Sequence, residues 1–379
     1  MNQHPSGPLF HYDCRFFRGH KPCVYRRECE NCPHYDPYGK RILIIKLGAI
    51  GDVLRTTPLL HGIKKTFPGC HITWLTLPNV VPLLAGNGYI DRLLAYSWQT
   101  CSSLAPERFD FAICLDKEAD VLAFMNQVQA SGKYGFALGE WGQVVPAGPS
   151  SKYLFHLGVS DELKFRINQK SYPELVFECV GIPYEGQEYI LPDLTQEIRC
   201  AAQRLEEVGI QPGKLKIGFN TGAGSVFATK KWTIEGYIEL GKRLMQSHNA
   251  AILLLGSEPE RERNSLIGKH IGAAAFDTGS GNSLLEFAGL IGQCDLLVTS
   301  DTLGMHLAIG LKRRVVALFG STCHQEIDLF GRGIKIVTNF ECSPCYLQTC
   351  PLPVTCMDEM KPDRVYTACL EAMSLPEPP

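Results

Sequence analysis

The chain has 379 residues, 45% hydrophobic and 20% charged, with a formal net charge of −2 at pH 7. That length suits two ordinary domains, and that composition is globular rather than disordered. A charge so near neutral excludes a global basic field for nucleic acid, and no apolar run approaches the ~18 residues of a membrane span.

The opening MNQHPSGPLFHYDC lacks the charged-then-apolar order of a signal peptide. The expected location is therefore the cytoplasm, with any membrane contact peripheral. Sixteen cysteines in such a chain read as thiols or metal ligands rather than a disulfide framework.

Residues 1–40 are polar and show neither helical nor strand period. Cys14, Cys23, Cys29 and Cys32 are spaced C-x8-C-x5-C-x2-C, with His11, His20 and His34 among them. The closing pair has metal-ligand spacing. Such an arm cannot bury a core of its own, and a structural zinc or an iron–sulfur cluster could supply the missing cross-link. Four reduced thiols on a flexible arm also fit the pattern.

Residues 41–67 read RILIIKLGAIGDVLRTTPLLHGIKKTF. The apolar run predicts a buried strand (Arg41–Lys46) in the middle of a parallel sheet. Gly48 and Gly51, in the loop Leu47–Gly51, permit a sharp turn and close approach of another molecule. Asp52 follows at the start of a helix, as an N-cap or as a carboxylate held where open α/β sheets bind ligands. Pro58 either kinks that helix or sits in its first turn.

Strands and helices then alternate. Strands are expected over His71–Thr76, Asp91–Tyr96, Phe109–Leu115 and Lys133–Ala137, with helices over Val80–Leu84, Ala119–Gln129 and Leu175–Val180. Gly139–Ser151 reads as a mobile loop over a cleft. Pro183, Pro192 and Pro212 flank one helix (Thr195–Val208), where the interdomain connection is placed. A second alternating series runs from strand Leu215–Asn220 to strand Val315–Phe319. Two such series imply two doubly wound α/β domains facing a cleft.

Anion-binding chemistry concentrates in the second series. In NTGAGSVFATKK (Asn220–Lys231), small residues such as Thr221 and Gly222 leave backbone N–H groups for an anion, and Lys230 and Lys231 can neutralise a phosphate. Glu258 follows a strand, as a ribose-binding acid or part of a helix cap. Asp301, Thr302, Gly304 and His306 stand where another strand meets a helix N-terminus, a diphosphate-binding position, with His306 facing the ligand or satisfied in the core. The tail carries Cys342, Cys345, Cys350 and Cys356, spaced C-x2-C-x4-C-x5-C, before a final helix (Pro362–Met373). Those four read equally as metal ligands or as thiols of a proline-rigid loop.

KLGAIGDVLRTTPLL (Lys46–Leu60), SDTLGMHLAIGLKRRVVALFG (Ser300–Gly320) and the tail CSPCYLQTCPLPVTCM together resemble the bacterial heptosyltransferase family, glycosyltransferase family 9. The resemblance covers about residues 40–375. It implies a GT-B fold of two Rossmann-like domains, the acceptor on the first (41–190), the nucleotide-sugar donor on the second (214–340), with 191–213 between them and 341–379 as tail. It implies inverting transfer without a metal or other cofactor, typically from ADP-heptose to the lipopolysaccharide inner core. The acceptor is then a glycolipid at the inner membrane surface. By position, Asp52 matches the catalytic base, Lys231 the phosphate-binding lysine, Glu258 the ribose-binding acid, and Asp301, Thr302 and His306 the donor loop.

Two departures stand out. Leu303 occupies the place where the family usually has glycine, which instead falls at Gly304. The cysteine-rich arm is not part of the best-known members. Two rival readings are a nicotinamide-dependent oxidoreductase, which lacks the full G-x-G-x-x-G fingerprint, and a metal-carrying, non-catalytic binding protein on the same scaffold.

Overall fold

The computed structural model describes residues 9–224 and 228–376. Positions 225–227 of the Asn220–Lys231 loop, 1–8 of the arm and 377–379 of the tail lie outside the described residues.

The run Ile42–Ile45 is fully buried, and its strand β1 (Arg41–Ile45) is flanked on both sides by parallel partners. The first sheet has the order β3-β2-β1-β4-β5-β6, with β2 (His71–Thr76), β3 (Arg92–Ala95), β4 (Arg108–Cys114), β5 (Gln129–Leu138) and β6 (Val144–Pro146). β6 alone in that sheet runs antiparallel, against β5. The second sheet is parallel, in the order β12-β11-β10-β7-β8-β9. Its strands are β7 (Lys216–Asn220), β8 (Ala251–Leu255), β9 (Ala275–Asp277), β10 (Leu296–Ser300), β11 (Arg314–Phe319) and β12 (Gly333–Val337). These are the two Rossmann-like domains of a GT-B fold. Leu54 and Leu83 of the first share a buried cluster with Ile291, Met305 and Leu307 of the second, so the halves are packed together beside the cleft.

Pro58 settles the form of the first helix. A short helix, Ile50–Leu54, stops, and a second, Pro58–Thr66, begins with the proline in its first turn, where the missing N–H costs nothing. The hydroxyls of Thr56 and Thr57 donate to the carbonyls of Asp52 and Leu54, both at 2.7 Å, and satisfy groups the break would strand.

Gly139–Ser151, expected as a mobile loop, is a hairpin followed by a short turn of helix (Pro149–Ser151). Gly142 adopts φ 78°, and the Gly139 N–H donates to the Gln143 carbonyl at 2.7 Å, which closes the turn. The helix expected to Gln129 ends at Gln127, because β5 starts at Gln129, earlier than its apolar residues suggested. Helices Trp98–Leu104, Lys152–His156 and Leu163–Ile167 were not foreseen. Ser97, whose Oγ accepts from the Thr100 N–H at 3.1 Å, was the legible start signal for the first of them.

The final helix, Pro362–Ser374, buries Val365, Ala368, Cys369 and Ala372 against the second domain. Among the described residues no helix is long and apolar enough to cross a membrane.

Candidate functional site

β1 and the strands β7, β8 and β10 end on a common cleft, which encloses a cavity of about 820 Å3. From the first domain, the helix Ile50–Leu54 presents Gly51, Asp52 and Arg55 to it. Under the loop at its entry, Lys46 and Asp116 form a buried ion pair. The Leu47 N–H also donates to Asp116, and the Lys46 ammonium donates to the Gly48 carbonyl. This pair clamps the glycine loop from below and fixes the direction in which Asp52 leaves it.

Asp52 is half-buried, and Arg55, one helical turn on, holds its Oδ1 at 2.9 Å. Burial pushes the Asp52 carboxyl up, but the charges of Arg55 and Lys46 outweigh it and keep it below the ordinary carboxylate range. Arg55 is itself held. It stacks over the Tyr172 ring at 3.8 Å, and its other nitrogen lies 3.4 Å from Glu326 of the second domain. Neither Arg55 nor Glu326 was singled out from sequence. The i,i+3 spacing from Asp52 was the available signal for Arg55, whereas Glu326 had none.

On the opposite wall, the helix Leu303–Gly310 begins at Thr302, whose hydroxyl does not cap it. Instead Asn220 Nδ2 donates to Thr302 Oγ1 at 2.7 Å, and Leu303 and Gly304 at the start of the helix line the cavity. Gly304 permits this contact, since a Cβ there would lie 2.6 Å from the Asn220 amide nitrogen. Leu303 turns its side chain onto the buried cluster between the domains. Asp301 pairs with Lys230 at 3.0 Å. Burial would raise the Asp301 carboxyl, but Lys230 holds it low.

His306 is buried, with Nε2 3.9 Å from Asp301 and Nδ1 3.5 Å from the Tyr189 hydroxyl. Burial pulls its pKa down to about 4, so it is neutral at pH 7.

The acidic wall residue is Glu260. Its Oε2 accepts from the N–H and hydroxyl of Ser257, at 3.2 and 2.8 Å. Its Oε1 is buried, makes no hydrogen bond among the described residues and lies 3.5 Å from Lys231. Gly222 gives it room, because a Cβ there would stand 2.4 Å from the carboxyl carbon.

Of the residues chosen from sequence, the structure brings Gly51, Asp52, Gly222, Asp301, Thr302, Gly304 and His306 to one cavity. It does not bring Gly48, Thr221, Lys231 or Glu258 to the wall. Gly48 lies over the Lys46–Asp116 pair, and Thr221 is buried with its hydroxyl on Asn264. Lys230 takes the wall position in place of Lys231. Glu258 is exposed, tied to Arg261 at 2.7 Å, and Glu260 stands where it was expected. At both places the chain turns between neighbours, so the residue beside or two beyond the chosen one lines the cavity.

Cys14, Cys23, Cys29 and Cys32 are not among the residues of this cavity and line a separate small void. Among the described residues no group of three or more His, Cys, Asp or Glu side chains is placed to hold a metal ion. In the tail, Cys342, Cys345 and Cys350 lie around the buried Cys356, whose thiol is raised to about 11 by burial first and by those neighbours.

Comparison with known proteins agrees with this geometry. The model of glycosyltransferase family 9 (heptosyltransferase) matches residues 100–355. A lipopolysaccharide heptosyltransferase 1 of Pseudomonas aeruginosa is 24% identical over 367 residues, covering 88% of this chain and 98% of its own. Among solved structures, a glycosyl transferase family 9 protein from Veillonella parvula superposes with a TM-score of 0.71 at 18% identity, over 88% of this chain and 97% of that one. The E. coli ADP-heptose lps heptosyltransferase II does so with a TM-score of 0.62 at 19% identity, over 88% and 98%.

Proposed function

Since the chain belongs to glycosyltransferase family 9, we propose that its cleft transfers a heptose from ADP-heptose to the lipopolysaccharide core. The observation that carries this reading is one cavity with a carboxylate, Asp52, on the first-domain wall and an anion-binding wall on the second. That second wall combines the helix N-terminus at Thr302, the lysine Lys230 and the hydroxyl-accepting Glu260.

The ADP diphosphate lies against the N–H groups at the start of Leu303–Gly310, with Lys230 beside it. The Glu260 oxygen that faces Lys231 accepts from the ribose hydroxyls. The acceptor is a glycolipid whose sugar hydroxyl enters from the inner membrane surface and meets Asp52. As that oxygen bonds to the anomeric carbon, its proton passes to Asp52, and the bond from that carbon to the diphosphate oxygen breaks. The electron pair leaves with ADP, where Lys230 and the helix N-terminus meet the developing charge. One in-line attack inverts the anomeric centre.

A carboxylate held low by Arg55 is a weak base at rest. It suffices because proton transfer is late, when the attacking oxygen has become strongly acidic. Neutral His306 packs behind the donor loop and adds no charge of its own.

The test is nucleotide release from a panel of ADP-, GDP- and UDP-sugars, with and without a heptose-deficient lipopolysaccharide core. ADP-heptose should release ADP only when acceptor is present. Asp52→Asn should bind ADP as the wild type does and lose roughly 10²–10⁴-fold in transfer. Near wild-type turnover in Asp52→Asn would overturn the role of Asp52. Transfer from a GDP- or UDP-sugar in place of ADP-heptose would overturn the donor.

A further inference from the structure

We propose that Cys14, Cys23, Cys29 and Cys32 hold one zinc ion at the foot of the first domain. All four line one void of about 20 Å3, and none is in a disulfide. Cys14 is buried and anchored to the far end of the arm by a bridge to Pro37. Cys23 and Cys29 each open a tight turn, with the Arg26 N–H donating to the Cys23 carbonyl at 3.0 Å and the Cys32 N–H to the Cys29 carbonyl at 3.2 Å. Arg26 and Asn31 sit in the left-handed region within these turns, both at φ 49°. A non-glycine residue persists there where its surroundings impose it.

Among its described residues the arm holds itself by polar and ring contacts, such as Arg15 with Asp36 at 2.8 Å and Tyr35 with Asp13 at 2.6 Å, rather than by an apolar core. Cys14 is the buried apolar residue of its described part, while Tyr12, Tyr25 and Tyr35 are exposed. The two histidines on the wall of the void are stacked on tyrosines, His34 on Tyr25 at 3.9 Å and His11 on Tyr35 at 4.2 Å. The donor set is therefore the four thiols. A void that size is about one water molecule's worth, enough for a single ion and too small for an iron–sulfur cluster. Four thiolates around one ion form the closed tetrahedral set of a structural zinc site, at ~2.3 Å per Zn–S bond. Among the described residues no three such side chains already stand together at gripping distance. On binding, the sulfurs draw in around the void and release their thiol protons to solvent.

The place of the arm makes the ion structural. Arg15 donates to the Gly69 carbonyl at 3.4 Å, Gly39 packs on the Gly69 backbone, and Tyr38 meets His71 edge-on at 4.8 Å. These contacts lie at the beginnings of β1 and β2, and the cavity lies beyond their ends. Zinc here therefore fixes the arm to the sheet and takes no part in transfer.

The full chain, purified under reducing conditions with zinc in the medium, is assayed for metal by mass spectrometry. The double variant Cys29→Ser/Cys32→Ser should contain one zinc per chain less than the wild type, whatever the tail cysteines hold. Equal metal content in the two would overturn the proposal. A visible thiolate-to-iron absorption band lost in the double variant would overturn it in favour of iron. Thiol mapping of the native wild type guards against misfolding of the variant. Cys23, Cys29 and Cys32 should be alkylated at least tenfold more slowly than the exposed Cys200, and should reach its rate after chelation. Alkylation at the Cys200 rate before chelation would overturn the site.

Discussion

Gly51 and His306 touch across the domain boundary so closely that a Cβ at position 51 would stand 2.5 Å from the imidazole Cδ2. The helix carrying Asp52 thus rests directly on the helix that begins the donor wall. Gly51→Ala should force the two helices apart. Overpacking of this kind costs about 1–3 kcal/mol. Transfer should fall more than ADP binding does, since the spacing between Asp52 and the donor is what changes. Denaturant midpoints and a comparison of kcat with ADP affinity check this, and an unaltered kcat counts against it.

Buried neutral His306 makes stability depend on pH. Its folded pKa is about 4, against about 6.5 when unfolded. Between those values the unfolded chain binds a proton that the folded chain does not, so stability falls as pH drops from 6.5 toward 4. Full expression of the shift is worth about 3 kcal/mol. His71, also lowered to about 4 by burial, adds to the same slope. Unfolding free energies measured across that window should show a shallower slope for His306→Gln, and equal slopes would refute a buried neutral imidazole.

Arg55 is what keeps the Asp52 carboxyl ionised against its burial. Folded Asp52 is charged above its lowered pKa, so transfer should be lost only as pH falls well into the acid range. Arg55→Gln removes the main opposing charge, and the acid limb of kcat/KM should move to higher pH. A pH–rate profile that superposes on the wild type would show that Arg55 does not set it.

Glu260 and Glu258 are two residues apart and face different surroundings. Glu260→Gln should weaken ADP binding roughly 10–100-fold, the worth of a hydrogen bond to a charged group. Glu258→Gln should stay within about twofold, because its partners are exposed. The same contrast is expected between Lys230→Ala and Lys231→Ala. Calorimetric titration with ADP reads all four variants, and a reversed order in either pair would restore the assignment made from sequence.

Asp116→Ala strands the Lys46 ammonium in a buried site. Breaking such a pair costs about 3–5 kcal/mol, whereas replacing both partners by apolar residues of similar volume is close to neutral. Urea unfolding should show the large loss in Asp116→Ala and a substantial recovery in Lys46→Met/Asp116→Leu. A loss under about 1 kcal/mol in the single variant would mean that the pair does not hold the glycine loop.

The alternation of apolar strands and amphipathic helices was legible in the sequence, because burial on both faces demands continuous runs such as Ile42–Ile45 and Ala251–Leu255. So were the strand ends that carry Asp52 and Asp301, since glycine loops and helix starts announce themselves locally. The register of a turn does not. In Lys230–Lys231 and Glu258–Glu260 the side chain that faces the cavity depends on backbone rotation, which the packing of Trp232 and the Ser257 cap decide. Contacts between the domains were equally out of reach: Arg55 and Glu326 lie 271 positions apart, and nothing in either neighbourhood names the other. Sequence determined that two sheets would form and that Asp52 and the stretch Asp301–His306 would follow strand ends, because those are properties of single βα units. Tertiary structure decided which residues face each other across the cleft, because that depends on how two independently formed sheets pack.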